Sequence, residues 1–129
     1  MRMQFACLLL MLLSVSAVNW LSFTDKHIIQ DQQNGDCKIR MKHINRVYKT
    51  CKDINTFIVD FTGTVNNLCL GKYTGIVTSS LPYDLMICKG GGTFPNCRYN
   101  KQTFPAYIQI RCNNYQPEHY VGHSRRPGF

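Results

Sequence analysis

Apolar positions recur at two spacings along the chain, helical in the first third and strand-like beyond it. An unbroken apolar run over residues 5–13 follows Arg2 and precedes the small residues Val15, Ser16 and Ala17. That order of charge, apolar run and small residues predicts a secretory leader over 1–17, cleaved after Ala17. The run is shorter than the roughly 20 residues a membrane span needs. What remains, 18–129, is expected to be one domain. Trp20, Phe23 and His27 fall on one face of a helix predicted over 20–30. Asn34-Gly35-Asp36 predicts a turn. A second helix is predicted over 37–50, with Cys37, Met41, Ile44 and Tyr48 on its apolar face. Its remaining positions carry Lys38, Arg40, Lys42, Arg46 and Lys49, which gives it a basic outer surface.

After Cys51 the period falls to two. Phe57, Val59 and Phe61 alternate and predict a strand over 55–61. A helical turn or strand start is expected near 68–70, and strands over 74–78, 84–88, 98–99 and 106–112. Gly90-Gly91-Gly92 and Phe94-Pro95-Asn96 read as flexible loops. A turn at Gln116-Pro117 should lead a last segment, 115–121, back into the sheet, with a frayed basic tail over 122–129. Helices first and strands later make the class α+β.

Composition narrows the function. Fifteen Lys and Arg against seven Asp and Glu give a formal charge of +8, lowered by one when Arg2 leaves with the leader. Such a surface suits a polyanion: nucleic acid, a glycosaminoglycan or an anionic membrane. Six of the seven cysteines lie outside the leader, at 37, 51, 69, 88, 97 and 112. An even number in a short secreted chain reads as three disulfides, and spacing alone leaves 15 pairings open. No Cys-x-x-Cys pair supports a metal site, so no metal or other cofactor is expected. There is no Gly-rich phosphate loop and no nucleophilic serine elbow. Histidine, lysine and cationic surface remain. Two histidines can act as base and acid at one pH, with a lysine stabilising charge that develops on a phosphate. That set suits cleavage of RNA, whose 2′-hydroxyl is an internal nucleophile.

Local motifs single out which residues. Cys51-Lys52-Asp53-Ile54-Asn55-Thr56-Phe57 matches Cys-Lys-x-x-Asn-Thr-Phe, the signature of the pancreatic-type ribonuclease (ribonuclease A) superfamily. Phe23-x-x-x-His27-Ile28 resembles the family's N-terminal helix motif, and Pro117-Glu118-His119-Tyr120 its C-terminal Pro-x-His-aromatic motif. Pro95-Asn96-Cys97-Arg98-Tyr99 resembles its Pro-x-Cys-x-Tyr segment. The resemblance covers residues 20–121. It implies an α+β fold with a bent antiparallel sheet, about three helices and a cleft. It also implies the bridges Cys37–Cys88, Cys51–Cys97 and Cys69–Cys112. The missing fourth bridge and the Arg125-Arg126-Pro127 tail resemble angiogenins. The Asn19-Trp20-Leu21-Ser22-Phe23 entry and the His119-Tyr120-Val121-Gly122 ending resemble amphibian cytotoxic ribonucleases.

The resemblance also implies roles. His27 would be the base, His119 the acid and Lys52 the stabiliser of the phosphorane. Thr56 would read the pyrimidine edge, Tyr120 would pack on the base, and Lys26 and Asn55 would support substrate binding. Five positions depart from the family pattern. Lys26 stands where Gln is common, Glu118 where Val is usual, and Val121 where Asp often follows. Ser22 and Asp25 replace two cations of the pancreatic N-terminal helix. Strand alternation is expected to turn Glu118 away from His119. His43 and His123 match no catalytic motif and read as surface and tail residues. The implied function is a secreted, monomeric, metal-free endoribonuclease that cuts single-stranded RNA after pyrimidines through a 2′,3′-cyclic phosphate. The alternative is an angiogenin-like or cationic antimicrobial effector, with Lys38, Arg40, Lys42, Arg46 and Lys49 contacting glycosaminoglycan or an anionic cell surface.

Overall fold

The computed structural model describes residues 21–129. The leader prediction and Trp20 lie outside the described residues. The order of elements is α1 (Phe23–His27), β1 (Ile28–Ile29), a 3-10 turn (Gln32–Asn34), α2 (Cys37–Tyr48), β2 (Ile54–Val59), α3 (Thr64–Asn67), β3 (Thr74–Thr78), β4 (Tyr83–Thr93), β5 (Asn96–Asn113) and β6 (Gln116–Ser124). These are the expected α+β class and helix number. The three bridges are Cys37–Cys88, Cys51–Cys97 and Cys69–Cys112, as the resemblance implied.

The first helix is shorter than its pattern suggested. Ser22 and Asp25 form a reciprocal capping box that starts it. This gives the two non-cationic positions a structural reason. The helix stops at His27 because Ile28 and Ile29 leave it to pair in parallel with Ile58 and Val59 of β2. The sheet is therefore mixed rather than wholly antiparallel. The side chain of Asp36 caps α2 by accepting from the Lys38 amide. Lys49 then closes the helix in the left-handed region, and Tyr48 is exposed, not part of the buried face.

β2 does not alternate as its sequence suggests: Asn55 to Ile58 are all buried. Both faces of the sheet are covered here. Phe57 packs under α2 with Met41, Ile44 and Met86, whereas Ile58 faces Phe23, Val65, Leu85 and Ile108 on the other side. Phe61 lies beyond the strand and is exposed. Asp60 takes its place in the core, accepting from the amides of Thr64 and Val65 and so starting α3.

The largest departure is the β4–β5 hairpin. The three glycines are part of β4, and the expected short strands at 98–99 and 106–112 are one 18-residue strand. Gly90 permits this: a Cβ there would stand 1.9 Å from the Arg98 carbonyl oxygen. The first half of β5 pairs with β4, and its second half pairs with β3 and with β6. The final turn is made by Asn114 and Tyr115, both at positive φ, rather than by Gln116 and Pro117. β6 continues through Ser124, so the start of the expected tail is sheet. Arg125 then lies over the Phe104 ring, 4.1 Å from its centroid. Among the described residues no helix is long and apolar enough to cross a membrane.

Candidate active site

His27 ends α1 where the chain turns into β1, and the β1–β2 register holds it beside Thr56. Its Nδ1 lies 2.8 Å from the Thr56 carbonyl oxygen. A carbonyl can only accept, so Nδ1 carries the proton and Nε2 keeps its lone pair. The ring is held between Phe23 and Tyr120, with centroids 5.2 and 5.5 Å away. Burial pushes the pKa of His27 down to about 4, opposed by the Thr56 bond and assisted by the charges of Lys52, Lys26 and Arg40. At neutral pH the group is an uncharged base.

Lys52 and Asn55 complete this side of the site. Lys52 Nζ donates to Asn55 Oδ1 at 2.8 Å, and Asn55 Nδ2 donates to the Lys26 carbonyl at 2.6 Å. Asn55 is buried and thus ties the motif to α1. Burial and then the charge of Lys26 lower the pKa of Lys52. Its backbone is fixed from the other direction. Asn45 Oδ1 accepts from the Lys52 amide, and the Tyr99 hydroxyl donates to the Lys52 carbonyl while accepting from Asn45 Nδ2. The Cys51–Cys97 bridge adjoins this network.

Arg40 also departs from the expected solvent-facing role. Its guanidinium donates to the carbonyls of Ile28 at 2.6 Å, Asp25 at 2.9 Å and Thr24 at 3.3 Å, and lies over the Phe57 ring. It gathers carbonyls at the end of α1, adding a second donor to that of Thr24, which already accepts from the Ile28 amide. The sequence reading missed Arg40, Asn45 and Tyr99 as supports of the site. The Pro-x-Cys-x-Tyr segment marked Tyr99, but its partner stands 54 positions away.

The structure thus brings His27, Lys52, Asn55, Thr56, Tyr120 and the Lys26 backbone together. His119, on β6, is exposed and stands apart from this hydrogen-bonded group. Its Nε2 lies 4.0 Å from Glu118 Oε1. Glu118 therefore does not turn away from His119. Both are flexible, exposed side chains, and the β5–β6 ladder shifts register between Arg111 and Cys112, opposite this segment. His123 is not a free tail residue: it is partly buried on β6, with Nδ1 2.5 Å from the Tyr120 hydroxyl.

Known proteins resemble this chain in sequence and in fold. The family model described as pancreatic ribonuclease matches residues 19–123. The oocytes ribonuclease of Aquarana catesbeiana is 35% identical over 110 residues, covering 84% of this chain and 83% of the relative. Angiogenin of Saimiri sciureus is 31% identical, covering 78% of this chain and 75% of the relative. Among solved structures, amphinase, a cytotoxic ribonuclease from Rana pipiens oocytes, superposes with a TM-score of 0.67 at 28% identity, covering 81% of this chain and 96% of that one. The chain belongs to the pancreatic ribonuclease family and is a pancreatic-type endoribonuclease.

Proposed function

We propose that the protein is a secreted endoribonuclease that cuts single-stranded RNA after pyrimidines through a 2′,3′-cyclic phosphate. The observation that carries this reading is the oriented His27: Nδ1–H is fixed on the Thr56 carbonyl and Nε2 is a neutral acceptor beside Lys52. In the first step Nε2 of His27 takes the 2′-hydroxyl proton as that oxygen attacks phosphorus. His119 protonates the departing 5′-oxygen. In the second step water opens the cyclic ester and the two roles reverse. Lys52 neutralises charge on the phosphorane oxygens. Thr56 reads the base edge, with Tyr120 against the base face and Lys26 and Asn55 in support. His119 must turn from Glu118 to reach the leaving oxygen, and a base of pKa about 4 is a weak one. Both features point to low or moderate turnover.

Secretion is inferred from the leader pattern over 1–17 and from the three disulfides. A cationic surface for glycosaminoglycan would use Lys38, Lys42, Arg46 and Lys49 of α2, because Arg40 is committed to α1. The test is cleavage of single-stranded RNA in EDTA by the refolded chain 18–129 and by its His119→Ala and His27→Ala variants. Cleavage after pyrimidines that both substitutions abolish is the expected result. Equal cleavage by all three would reject the assignment.

A further inference from the structure

Directly across the ladder from His119 stands Arg111, which is in turn opposite Ile76 of β3. Ile76, Arg111 and His119 therefore form one row across three strands, with their side chains on one face. That face is the outer one, because the neighbours of Arg111 along β5, Ile110 and Cys112, are fully buried on the other. Ile76 is exposed, and among the described residues the Arg111 guanidinium has no hydrogen-bond or ion-pair partner. The next row holds Thr74, Asn113 and Gln116, all exposed. At the end of these strands stand Tyr73 and Tyr115. Their rings are exposed and meet edge to face, with centroids 5.2 Å apart. The Tyr115 amide donates to the Tyr73 carbonyl at 3.2 Å, which fixes the pair through the backbone.

Tyr115 is an unusual occupant of its turn. Asn114 and Tyr115 have φ of 54° and 63°. Two positive values in a two-residue hairpin loop favour Asn-Gly. A tyrosine at the glycine position is held against its own preference, a kind of strain that collects at functional sites. Exposed aromatic rings near an unpaired guanidinium are the parts that hold single-stranded nucleic acid. The rings stack on bases and the guanidinium forks onto phosphate. The reaction decides which end of the RNA lies here. An acid that protonates the leaving 5′-oxygen touches the nucleotide on the 3′ side of the cut, so that nucleotide lies beside His119. The Arg111 charge also offsets the Glu118 carboxylate near His119. Tyr73 is three residues along β3 from Ile76, roughly 10 Å from the row of Arg111 and within reach of the nucleotides that follow.

We infer that the outer face of β3, β5 and β6 is a track for RNA on the 3′ side of the cut, where Arg111 holds a downstream phosphate and the Tyr73–Tyr115 pair stacks a downstream base. This rests on the reading of His119 as the acid at the leaving oxygen. The experiment measures kcat/KM for UpA, the 3′-extended UpApApA and the 5′-extended ApApUpA, in the wild-type chain and in Arg111→Gln and Tyr115→Gly. The wild type should favour UpApApA over UpA about tenfold, the value of one stacked base. Each substitution should cut that ratio at least threefold and leave the ratio of ApApUpA to UpA in place. Arg111→Gln should also flatten the slope of log kcat/KM for UpApApA against log salt by about 0.7, the share of one phosphate contact on a single strand. Tyr115→Gly suits the turn, so its Tm should not fall, and a lost 3′ advantage in it reports the missing ring rather than a damaged fold. A wild type without a 3′ advantage would overturn the inference, as would equal loss of both ratios. A 3′ ratio unmoved within twofold in either variant would remove that residue from the track. His119→Ala separates the inference from the reading beneath it. UpA cleavage that survives in His119→Ala would remove both. UpA cleavage that His119→Ala abolishes, with extension ratios unmoved by Arg111→Gln and Tyr115→Gly, would remove this inference alone.

Discussion

The two histidines of the proposed reaction sit in opposite environments, and each environment can be tested by one measurement. His27 is enclosed, surrounded by cations and pushed down to a pKa of about 4. As a base it works only when neutral, so the acid limb of kcat/KM that His27 sets should lie near pH 4. An unshifted histidine would put that limb near 6.5. Replacing Lys52 would destroy the chemistry, but Lys26→Ala removes one of the lowering charges and should move the acid limb upward. The same shift acts on stability. The unfolded chain takes up a proton near pH 6.5 that the folded one refuses until about 4, so folding stability should decline with falling pH across that window. His119 is exposed beside Glu118. Glu118→Gln removes an anion that holds His119 and repels RNA phosphate. Its kcat/KM on RNA should rise about twofold to fivefold at low salt, the scale of an exposed pair, and the gain should shrink as salt is added. No change at low salt would mean that Glu118 is a bystander.

At the scale of elements, α1 matters less as a helix than as a mount for His27. It has five residues, too few to be stable by itself. The capping box begins it, β1 pairing ends it, and Arg40 ties its last carbonyls to α2. Arg40→Ala should cost about 2–3 kcal/mol, since three charge-assisted bonds and the contact with Phe57 are lost together. Arg40→Lys should recover only part, because one ammonium cannot reproduce the fork. Urea titration gives the stability change, and the RNA assay should show a kcat loss if His27 becomes loose. None of this was legible in the sequence, where Arg40 is one cation among five on a helix. The reason is physical: local pattern reports which face is apolar, not which exposed-looking residue meets carbonyls 12 to 16 positions earlier. By contrast His27, Lys52 and Thr56 were legible because they lie inside short motifs, as was the buried face of α2 at Cys37, Met41 and Ile44. The β4–β5 hairpin was hidden for a different reason. Residues 92–96 are exposed, so no alternation marks the strands there, and the backbone ladder alone carries them. The Gly90-Gly91-Gly92 run reads as a loop until the close approach of Arg98 is known.

At the scale of the molecule, one long strand joins two lobes and the disulfides fasten each part to it or to its neighbour. Cys51–Cys97 fixes the start of β5 to the segment that carries Lys52, Cys69–Cys112 fixes its far end to the chain after α3, and Cys37–Cys88 fixes α2 to β4. The bridged positions are 51, 46 and 43 residues apart. Loop-closure entropy then assigns each roughly 4 kcal/mol, nearly equal because the dependence on length is logarithmic. A domain of this size holds about 5–15 kcal/mol in total, so losing any one bridge should lower Tm sharply. Their effects on activity should differ, because the bridges differ in what they hold. Opening Cys51–Cys97 by paired alanine substitution frees the Lys52 segment from β5, leaving the Asn45 and Tyr99 hydrogen bonds to hold it. Opening Cys69–Cys112 loosens the lobe formed by β3, the second half of β5 and β6, but the β5–β6 ladder still holds the strand that carries His119 and Tyr120. Both double variants should melt at similar temperatures. Assayed on single-stranded RNA well below those temperatures, the first should lose most of its kcat and the second should retain more. Equal losses would mean that the two lobes move as one body and that Lys52 owes its position to the whole fold.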